Sequence, residues 1–380
     1  MDFIEVRDLF PVVNHRVYLN SASTGPLSER SRSAIDAMTA LQVDKPYDAE
    51  RKAQEVTTLR SRVGQLLGAD PLTITLTRNT GHGLSLLASG LDWQAGDNVV
   101  SVEREFPTNI YPWMALADRQ VELRLAPVDD GHAEVAEIFK YCDRRTRVLS
   151  ISHVQYWNGY RYDLGAISAE CRRSNILLCV DAIQSVGAIG IDVVRDGIDF
   201  LAAGGYKWLL SPWGTGFAYC TPDLCERLRP PLVGWSSIRD RDDFYHYQFE
   251  FGPLAQRFEE GTLNLLGIAG MRASVELMLE LGVERIEEHV LDLSSRLGQA
   301  LDTIGLSVSA PWPRQPGQSS GIISASHPRL EASELSRQLA AAGIVARSHQ
   351  NLVRFSPHFF NSISEVDKVA EAVGVVAAVR

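Results

Sequence analysis

No stretch of this chain approaches the ~18 uninterrupted apolar residues of a membrane span, so no membrane helix is expected in its 380 residues. A basic surplus is missing too: Lys plus Arg number 37 against 47 Asp plus Glu, a formal net charge of −10. Nucleic acid and anionic membranes are bound through basic surfaces, and neither is expected as a partner. A small anion is not excluded, because one pocket can be positive on an acidic protein. Cysteine is scarce. Cys142, Cys171, Cys179, Cys220 and Cys225 form no C-x-x-C pair and no Cys/His cluster of zinc-binding spacing, so no metal is expected. An odd, unpaired set suits a reducing compartment. The opening Met1-Asp2-Phe3-Ile4-Glu5-Val6-Arg7-Asp8 carries acids where a secretory leader has a basic and then an apolar run, and a cytoplasmic location is expected. Repeats and low-complexity tracts are also missing. What is present is globular material, 45% hydrophobic and 22% charged, enough for a sizeable core without disulfides. At roughly 100–200 residues per domain, the length points to two domains, or one large and one small.

Short apolar runs alternate with helical patterns over most of the first 220 residues. Strands are expected at 73–76, 98–102, 121–127, 148–153, 176–180, 200–203 and 216–220, with helices at 82–91, 111–119 and 164–174 between them. Strands separated by helices imply parallel pairing in an α/β layer fold. The unalternating Ile176-Leu177-Leu178-Cys179-Val180 suits a strand covered on both faces. Past about residue 260 the texture changes. Helices at 265–281 and 283–304, a Pro/Gly/Ser-rich loop at 310–320, strands at 321–325, 344–346 and 352–356, and helices at 331–342 and 365–378 make a small α/β unit.

The strongest chemical signal is Phe200-Leu201-Ala202-Ala203-Gly204-Gly205-Tyr206-Lys207-Trp208. A strand runs into two glycines that permit tight backbone geometry, then into a lysine flanked by aromatics. Aromatic neighbours exclude water and lower a lysine pKa, and such a lysine can form a Schiff base with a carbonyl compound. A surface lysine after a turn fits the same text. One strand earlier, Asp181 ends an apolar run and Gln184 follows. In open α/β sheets ligands bind beyond the carboxyl ends of strands, where an Asp can pair with a protonated ring nitrogen; a helix N-cap is the competing role. Thr77-Arg78-Asn79-Thr80-Gly81-His82-Gly83 follows a strand and opens a helix, a setting that binds phosphate through free N–H groups. It is not a Walker loop, because no Gly-Lys-Ser/Thr follows. Phe106 stands at a strand-to-helix turn, where it can stack on a flat ligand or pack in the core. Arg354 lies inside the apolar Leu352-Val353-Arg354-Phe355-Ser356, and a buried Arg needs an anion. A phosphate cradle, a stacking aromatic, an Asp and an imine-capable Lys together describe a site for pyridoxal 5′-phosphate.

At this point the chain resembles the class V group of fold-type I pyridoxal phosphate enzymes, which includes cysteine desulfurases, isopenicillin N epimerase-like proteins, kynureninases and several aminotransferases. The resemblance runs from Tyr18-Leu19-Asn20-Ser21-Ala22 to Arg354, and its most specific parts are Asp181…Gln184…Lys207 and Arg257-Phe258-Glu259-Glu260-Gly261-Thr262. It implies an α/β chain of the PLP-dependent transferase fold type I. A large cofactor-binding domain over 15–260, with a mainly parallel seven-stranded sheet, would be joined by a small C-terminal α/β domain over 261–380 that includes 1–14. It implies that Lys207 forms the Schiff base and shuttles protons, that Asp181 pairs with the pyridine nitrogen, and that Gln184 contacts the phenolic oxygen. Phe106 would stack on the ring, Thr80 and Gly81 would form the phosphate turn, and the Tyr206 hydroxyl would reach the phosphate. Thr262 matches a residue that reaches the neighbouring subunit's phosphate, which implies a homodimer with shared sites. Arg354 matches the arginine that holds the substrate carboxylate.

The chain departs from that pattern in places. Desulfurases carry a nucleophilic Cys shortly before the carboxylate-binding Arg; here Ala346-Arg347-Ser348-His349-Gln350-Asn351 leads to Arg354 and no Cys follows Cys225, so a Cys-persulfide route is not expected. Gly204 stands where relatives have a phosphate-binding Ser. The string Val154-Gln155-Tyr156-Trp157-Asn158-Gly159 is similar to kynureninases, whereas Ser211-Pro212-Trp213-Gly214-Thr215-Gly216 is closer to epimerase-like and aminotransferase-like members. The expected activity is therefore chemistry at Cα or Cβ of an amino acid, a small-molecule substrate, aminotransferase-like or epimerase-like. A kynureninase-like hydrolase, a C–S or β-lyase, and a non-catalytic cofactor-binding regulator are the alternatives. Tyr156 and His349 are candidates to line the substrate site, and together with His358 to supply a second acid or base.

Overall fold

The computed structural model describes residues 2–378. Its centre is a seven-stranded sheet in the order Ile74–Thr77, Gly216–Cys220, Phe200–Gly204, Leu177–Asp181, Thr146–Ser152, Asn98–Val102, Glu122–Ala126. The sheet is mixed and mostly parallel; only Gly216–Cys220 runs antiparallel to its neighbours. The reason is local. A parallel return needs a crossover of a dozen or more residues, usually a helix, and the link 205–215 carries none. Gly216–Cys220 therefore folds straight back on Phe200–Gly204. Every residue of these two strands is buried, as the unalternating apolar text requires.

Helices cover both faces. Two long ones, Glu29–Asp44 and Ala49–Leu67, lie outside the elements expected from sequence and pack on Leu265–Leu281. Their starts are capped by Ser28, which accepts from the Ser31 N–H, and Asp48, which accepts from the Arg51 N–H. Gly68, at φ 65, ends the second one.

The C-terminal unit is a four-stranded antiparallel sheet in the order Arg347–His349, Leu352–Phe355, Ile323–Ser326, Ser307–Val308. Leu293, Leu297 and Leu301 from Val283–Thr303 and Leu335 and Leu339 from Ala332–Ala341 fill its core. Arg347–His349 is not among the expected strands. It forms a tight hairpin with Leu352–Phe355, turned at Gln350 with φ 51. The N-terminal strand Val17–Tyr18 pairs in parallel with Ile344–Val345, and Asn20 bridges to Ser356, so the segment that follows is drawn between the two sheets. No helix among the described residues is long and apolar enough to cross a membrane.

Candidate active site

The parallel strands deliver their carboxyl ends to one edge of the large sheet. Asp181 is the last residue of Leu177–Asp181, and Tyr206-Lys207 follow Phe200–Gly204 on the adjacent strand. Ile74–Thr77 ends on the same edge and leads into the helix Thr80–Gly90. A pocket of about 430 Å³ opens there, lined by Thr80, Gly81, Phe106, Asp181, Tyr206 and Lys207, with Arg78 and Trp213 also on its walls. Six of the sequence-derived candidates thus meet in one cavity.

The lysine turn is held from two sides, by Gly25 and by His358. The Gly25 N–H donates to the Tyr206 carbonyl at 2.8 Å. A Cβ on Gly25 would lie 2.1 Å from the Lys207 carbonyl oxygen, so only glycine permits this approach. His358 Nε2 donates to the Trp208 carbonyl at 2.8 Å, and its Nδ1 accepts from the Phe359 N–H. Burial holds the His358 ring below the usual histidine range, to about 4. His358 is thereby a clamp on the turn, with both nitrogens committed to backbone, and not a free second acid.

Lys207 is 7% exposed. Burial lowers its pKa, the charge of Arg354 lowers it further, and Asp181 opposes both. The amine lies 5.4 Å from the centroid of Phe106 and 5.9 Å from that of Tyr206. The Asp181 carboxyl moves the other way. Burial raises it, the Ile183 N–H at 3.0 Å counteracts, Glu105 raises it further, and Lys207 lowers it. Glu105 is a buried carboxyl absent from the sequence-derived set. It accepts from the Ser152 N–H at 2.7 Å, the Ser152 hydroxyl at 2.5 Å and Gln155 Nε2 at 3.0 Å, and burial raises its pKa. Its only sequence signal is a position one residue before Phe106.

At the phosphate turn, Asn79 caps the helix by accepting from the His82 N–H at 2.8 Å. That bond leaves the earlier N–H groups, at Thr80 and Gly81, for a ligand. Thr80 Oγ1 accepts from the Gly204 N–H at 2.9 Å, so its own hydrogen remains to donate. Gly204 has no hydroxyl to add, and a Cβ there would meet Ile183 and Tyr206 at 3.3 Å.

Arg354, Tyr156 and His349 do not line this cavity; they stand beside it, and the charge of Arg354 is felt at Lys207. Arg354 is 5% exposed and donates to the Tyr156 carbonyl at 2.7 Å and to Ser23 Oγ at 2.6 Å, while its Nε is buried without a partner. Burial, then the charge of Arg347, lowers its pKa to about 10. The Tyr156 ring stands edge-on to Phe106 at 5.2 Å and to His349 at 5.2 Å. Phe106, Tyr156 and His349 therefore form a run of ring contacts that starts at the cavity, which Phe106 lines, and passes the Tyr156 backbone held by Arg354. Ser23 was not singled out from sequence; it lies in an aperiodic polar stretch, Asn20-Ser21-Ala22-Ser23-Thr24-Gly25.

Two further candidates stand apart from both the cavity and the Arg354 group. Gln184 is buried behind the pocket, its Nε2 donating to the Ala22 carbonyl at 3.1 Å and its Oε1 accepting from Trp208 Nε1 at 2.8 Å. Thr262 is exposed, before the helix Leu265–Leu281, and is not on the pocket wall of its own chain. None of the five cysteines lines the pocket. Burial pushes the thiols of Cys142 to about 11 and Cys171 to about 12 and raises Cys179 and Cys220 as well.

A mostly parallel α/β sheet that gathers a buried lysine, an aspartate and a helix start at its carboxyl edge defines a cofactor-dependent enzyme of the fold-type I architecture. The chain belongs to the aminotransferase class-V family, whose profile matches residues 17–369. It is 28% identical to a probable cysteine desulfurase of Methanothermobacter thermautotrophicus, covering 98% of each chain. It is also 28% identical to the isopenicillin N epimerase of Streptomyces clavuligerus, covering 94% of each. Among solved structures, a variant of C-DES with glycine covalently linked to its PLP cofactor superposes with a TM-score of 0.90 at 25% identity, covering 97% of this chain and 98% of that one. Pyridoxal 5′-phosphate is the cofactor of the family. The residues present fit it: a buried amine with lowered basicity, an unshared Asp181 oxygen, an aromatic face and two free helix-start N–H groups border one cavity.

Proposed function

We propose that this chain is a pyridoxal phosphate enzyme acting at Cα or Cβ of an amino acid, with transamination or epimerisation as its leading outcome. The observation that carries the reading is the placement of Lys207. Its amine is buried beside Phe106 and Asp181, while Arg354, whose charge lowers the lysine pKa, has no carboxylate partner among the described residues.

When bound, the cofactor supplies an electron-withdrawing ring that stabilises negative charge developing at the substrate Cα. Asp181 holds a proton on the ring nitrogen; charge pairing offsets the burial that otherwise keeps this carboxyl protonated. Lowered basicity leaves part of the Lys207 population neutral, and a neutral amine accepts the Cα proton. Thr80 and Gly81 anchor the phosphate, Phe106 offers a flat apolar face, and Arg354 fixes the substrate carboxylate through its guanidinium fork. A Cys-persulfide route is not part of this reading, because all the thiols lie off the pocket wall. Tyr206 and Gln184 support the ring surroundings. The proposed working unit is a homodimer in which Thr262 reaches the partner's phosphate. The exposed Trp213, Trp235, Phe244, Tyr247 and Phe249 give such an interface apolar material.

A β-lyase outcome is the second reading, favoured by the similarity to C-DES, a cystine C–S lyase. Both readings are tested by adding cofactor to purified protein and following visible absorbance, then presenting a panel of amino acids in D₂O. A band lost in Lys207→Ala supports the lysine link, and no band in the wild type refutes it. Exchange at Cα with appearance of the opposite enantiomer points to epimerisation, a cofactor left in the amine form to transamination, and keto-acid release with sulfide to the lyase.

A further inference from the structure

The cations around the pocket outnumber the anions that the reading above supplies. Arg78 lies at the phosphate turn and Arg354 at the substrate carboxylate. Two more remain. Arg347 is the direct cross-strand partner of Arg354, so both side chains leave the same face of the small sheet. Like charges placed directly opposite are unfavourable in a sheet. His349, two residues on, shares that face, and its ring meets Tyr156 at 5.2 Å. The face carrying Arg347, which is itself exposed, is thus the face that meets Tyr156 beside the cavity.

Arg104, also exposed, lies on the large-domain side of these rings, near enough for its charge to act on Tyr156. It follows the strand Asn98–Val102 in a left-handed conformation, φ 60, which non-glycine residues adopt at an energetic cost and which concentrates at functional sites. Its guanidinium lies 4.9 Å from the Trp157 ring. A stacked guanidinium keeps its N–H edge free for a carboxylate. Trp157 is the neighbour of Tyr156, and its own Nε1 is buried without a partner, as are His349 Nδ1 and Arg354 Nε. No ion pair neutralises Arg104, Arg347 or Arg354 among the described residues, in a chain of net charge −10 with acids to spare. An α-carboxylate satisfies one of the three.

We propose that the substrate is an amino acid whose side chain itself ends in an anionic group, met by Arg104 and Arg347 while Arg354 holds the α-carboxylate. The proposal rests on the reading of the pocket as a pyridoxal phosphate amino-acid site. It is tested on cofactor-loaded enzyme with isosteric pairs, aspartate against asparagine and glutamate against glutamine, with cysteine sulfinate to separate a sulfinate from a carboxylate. A charge-assisted pair gives an expected preference of about 10-fold or more in kcat/KM for the anionic member. Arg104→Met and Arg347→Met each bring that ratio down toward one while the visible band of the loaded enzyme persists. Equal or better use of asparagine and glutamine, or variants that slow both members alike, overturns the proposal and leaves the cofactor site intact. If the wild type acquires no visible band, the pocket reading itself fails and the anionic-substrate proposal fails with it.

Discussion

Lys207 is predicted to destabilise the fold that it serves. Burial holds its pKa down, from 10.5 to about 8. At ~1.36 kcal/mol per pKa unit this corresponds to about 3 kcal/mol of unfavourable charging at neutral pH. The sign follows from linkage. The folded pKa lies below the unfolded one, so below about pH 8 both states carry the proton and the folded state bears the full penalty. Between about 8 and 10.5 the folded chain sheds its proton while the unfolded chain keeps it, and the penalty fades. Replacing Lys207 by Met, which keeps the stem and removes the charge, is therefore expected to stabilise the cofactor-free protein at pH 7. The shift in Tm should be several degrees, at ~2 °C per kcal/mol or less for a chain this large. Removing the lysine also relieves repulsion of Arg354 and forfeits attraction to Asp181, the weakest of the three effects. The assay is calorimetric unfolding of both cofactor-free proteins from pH 7 to 10.5. The advantage of Lys207→Met should shrink as pH rises, while its turnover is abolished at every pH. A variant less stable than wild type at pH 7, or an advantage that does not fall with pH, refutes the account of a desolvated amine.

Asp181→Asn is expected to retain bound cofactor and lose turnover by about 10²–10⁴-fold, the range of a displaced acid–base group; unchanged turnover in a steady-state assay would remove the ring-nitrogen role. Arg354→Gln should raise KM for a carboxylate substrate by about 10–100-fold, the worth of a charge-assisted hydrogen bond, and an unaffected KM would place Arg354 outside the site. Gly25→Ala puts a Cβ 2.1 Å from the Lys207 carbonyl and 2.5 Å from Leu210 Cδ2. Overpacking of that kind costs about 1–3 kcal/mol, so a lower Tm with a weakened visible band is expected, and a wild-type melt with a wild-type band would contradict the clamp. In sedimentation the protein should run as a dimer, and Thr262→Ala should weaken cofactor binding; a monomer with full cofactor affinity would sink the shared-site arrangement.

The main features of the large sheet could be read from text because they depend on short-range facts. Apolar runs without alternation predict buried strands, and each of the seven expected strands overlaps one in the sheet. Asp181, Lys207 and Thr80 could be placed because a strand's carboxyl end is a local property, and parallel pairing brings such ends together. Direction was harder. The antiparallel Gly216–Cys220 depends on what the link 205–215 fails to contain, and the polar strand Arg347–His349 has too little apolar text to announce itself, although its partner Leu352–Phe355 is among the expected strands.

The residues that went unread, Gly25 and Ser23, and the one that was misread, His358, share a different property: their partners are distant in sequence. Gly25 matters because the Lys207 turn lies against it, Ser23 because Arg354 reaches it, and His358 because Trp208 turns its carbonyl toward it. None has a local pattern that separates it from an ordinary loop residue. His358 shows what this does to inference. As text it is one more histidine near an arginine, and a second acid is a fair guess. In the fold it is fully buried, below the usual histidine pKa, with both nitrogens on backbone atoms, so it can only position. Arg354, Ser23 and His358 join the C-terminal unit and the N-terminal segment to the lysine turn. A change that shifts the small sheet must therefore disturb the substrate carboxylate and the reactive amine together. Substitutions at His358 should accordingly lower kcat along with affinity, whereas loss of an arginine that only binds substrate should fall mainly on KM.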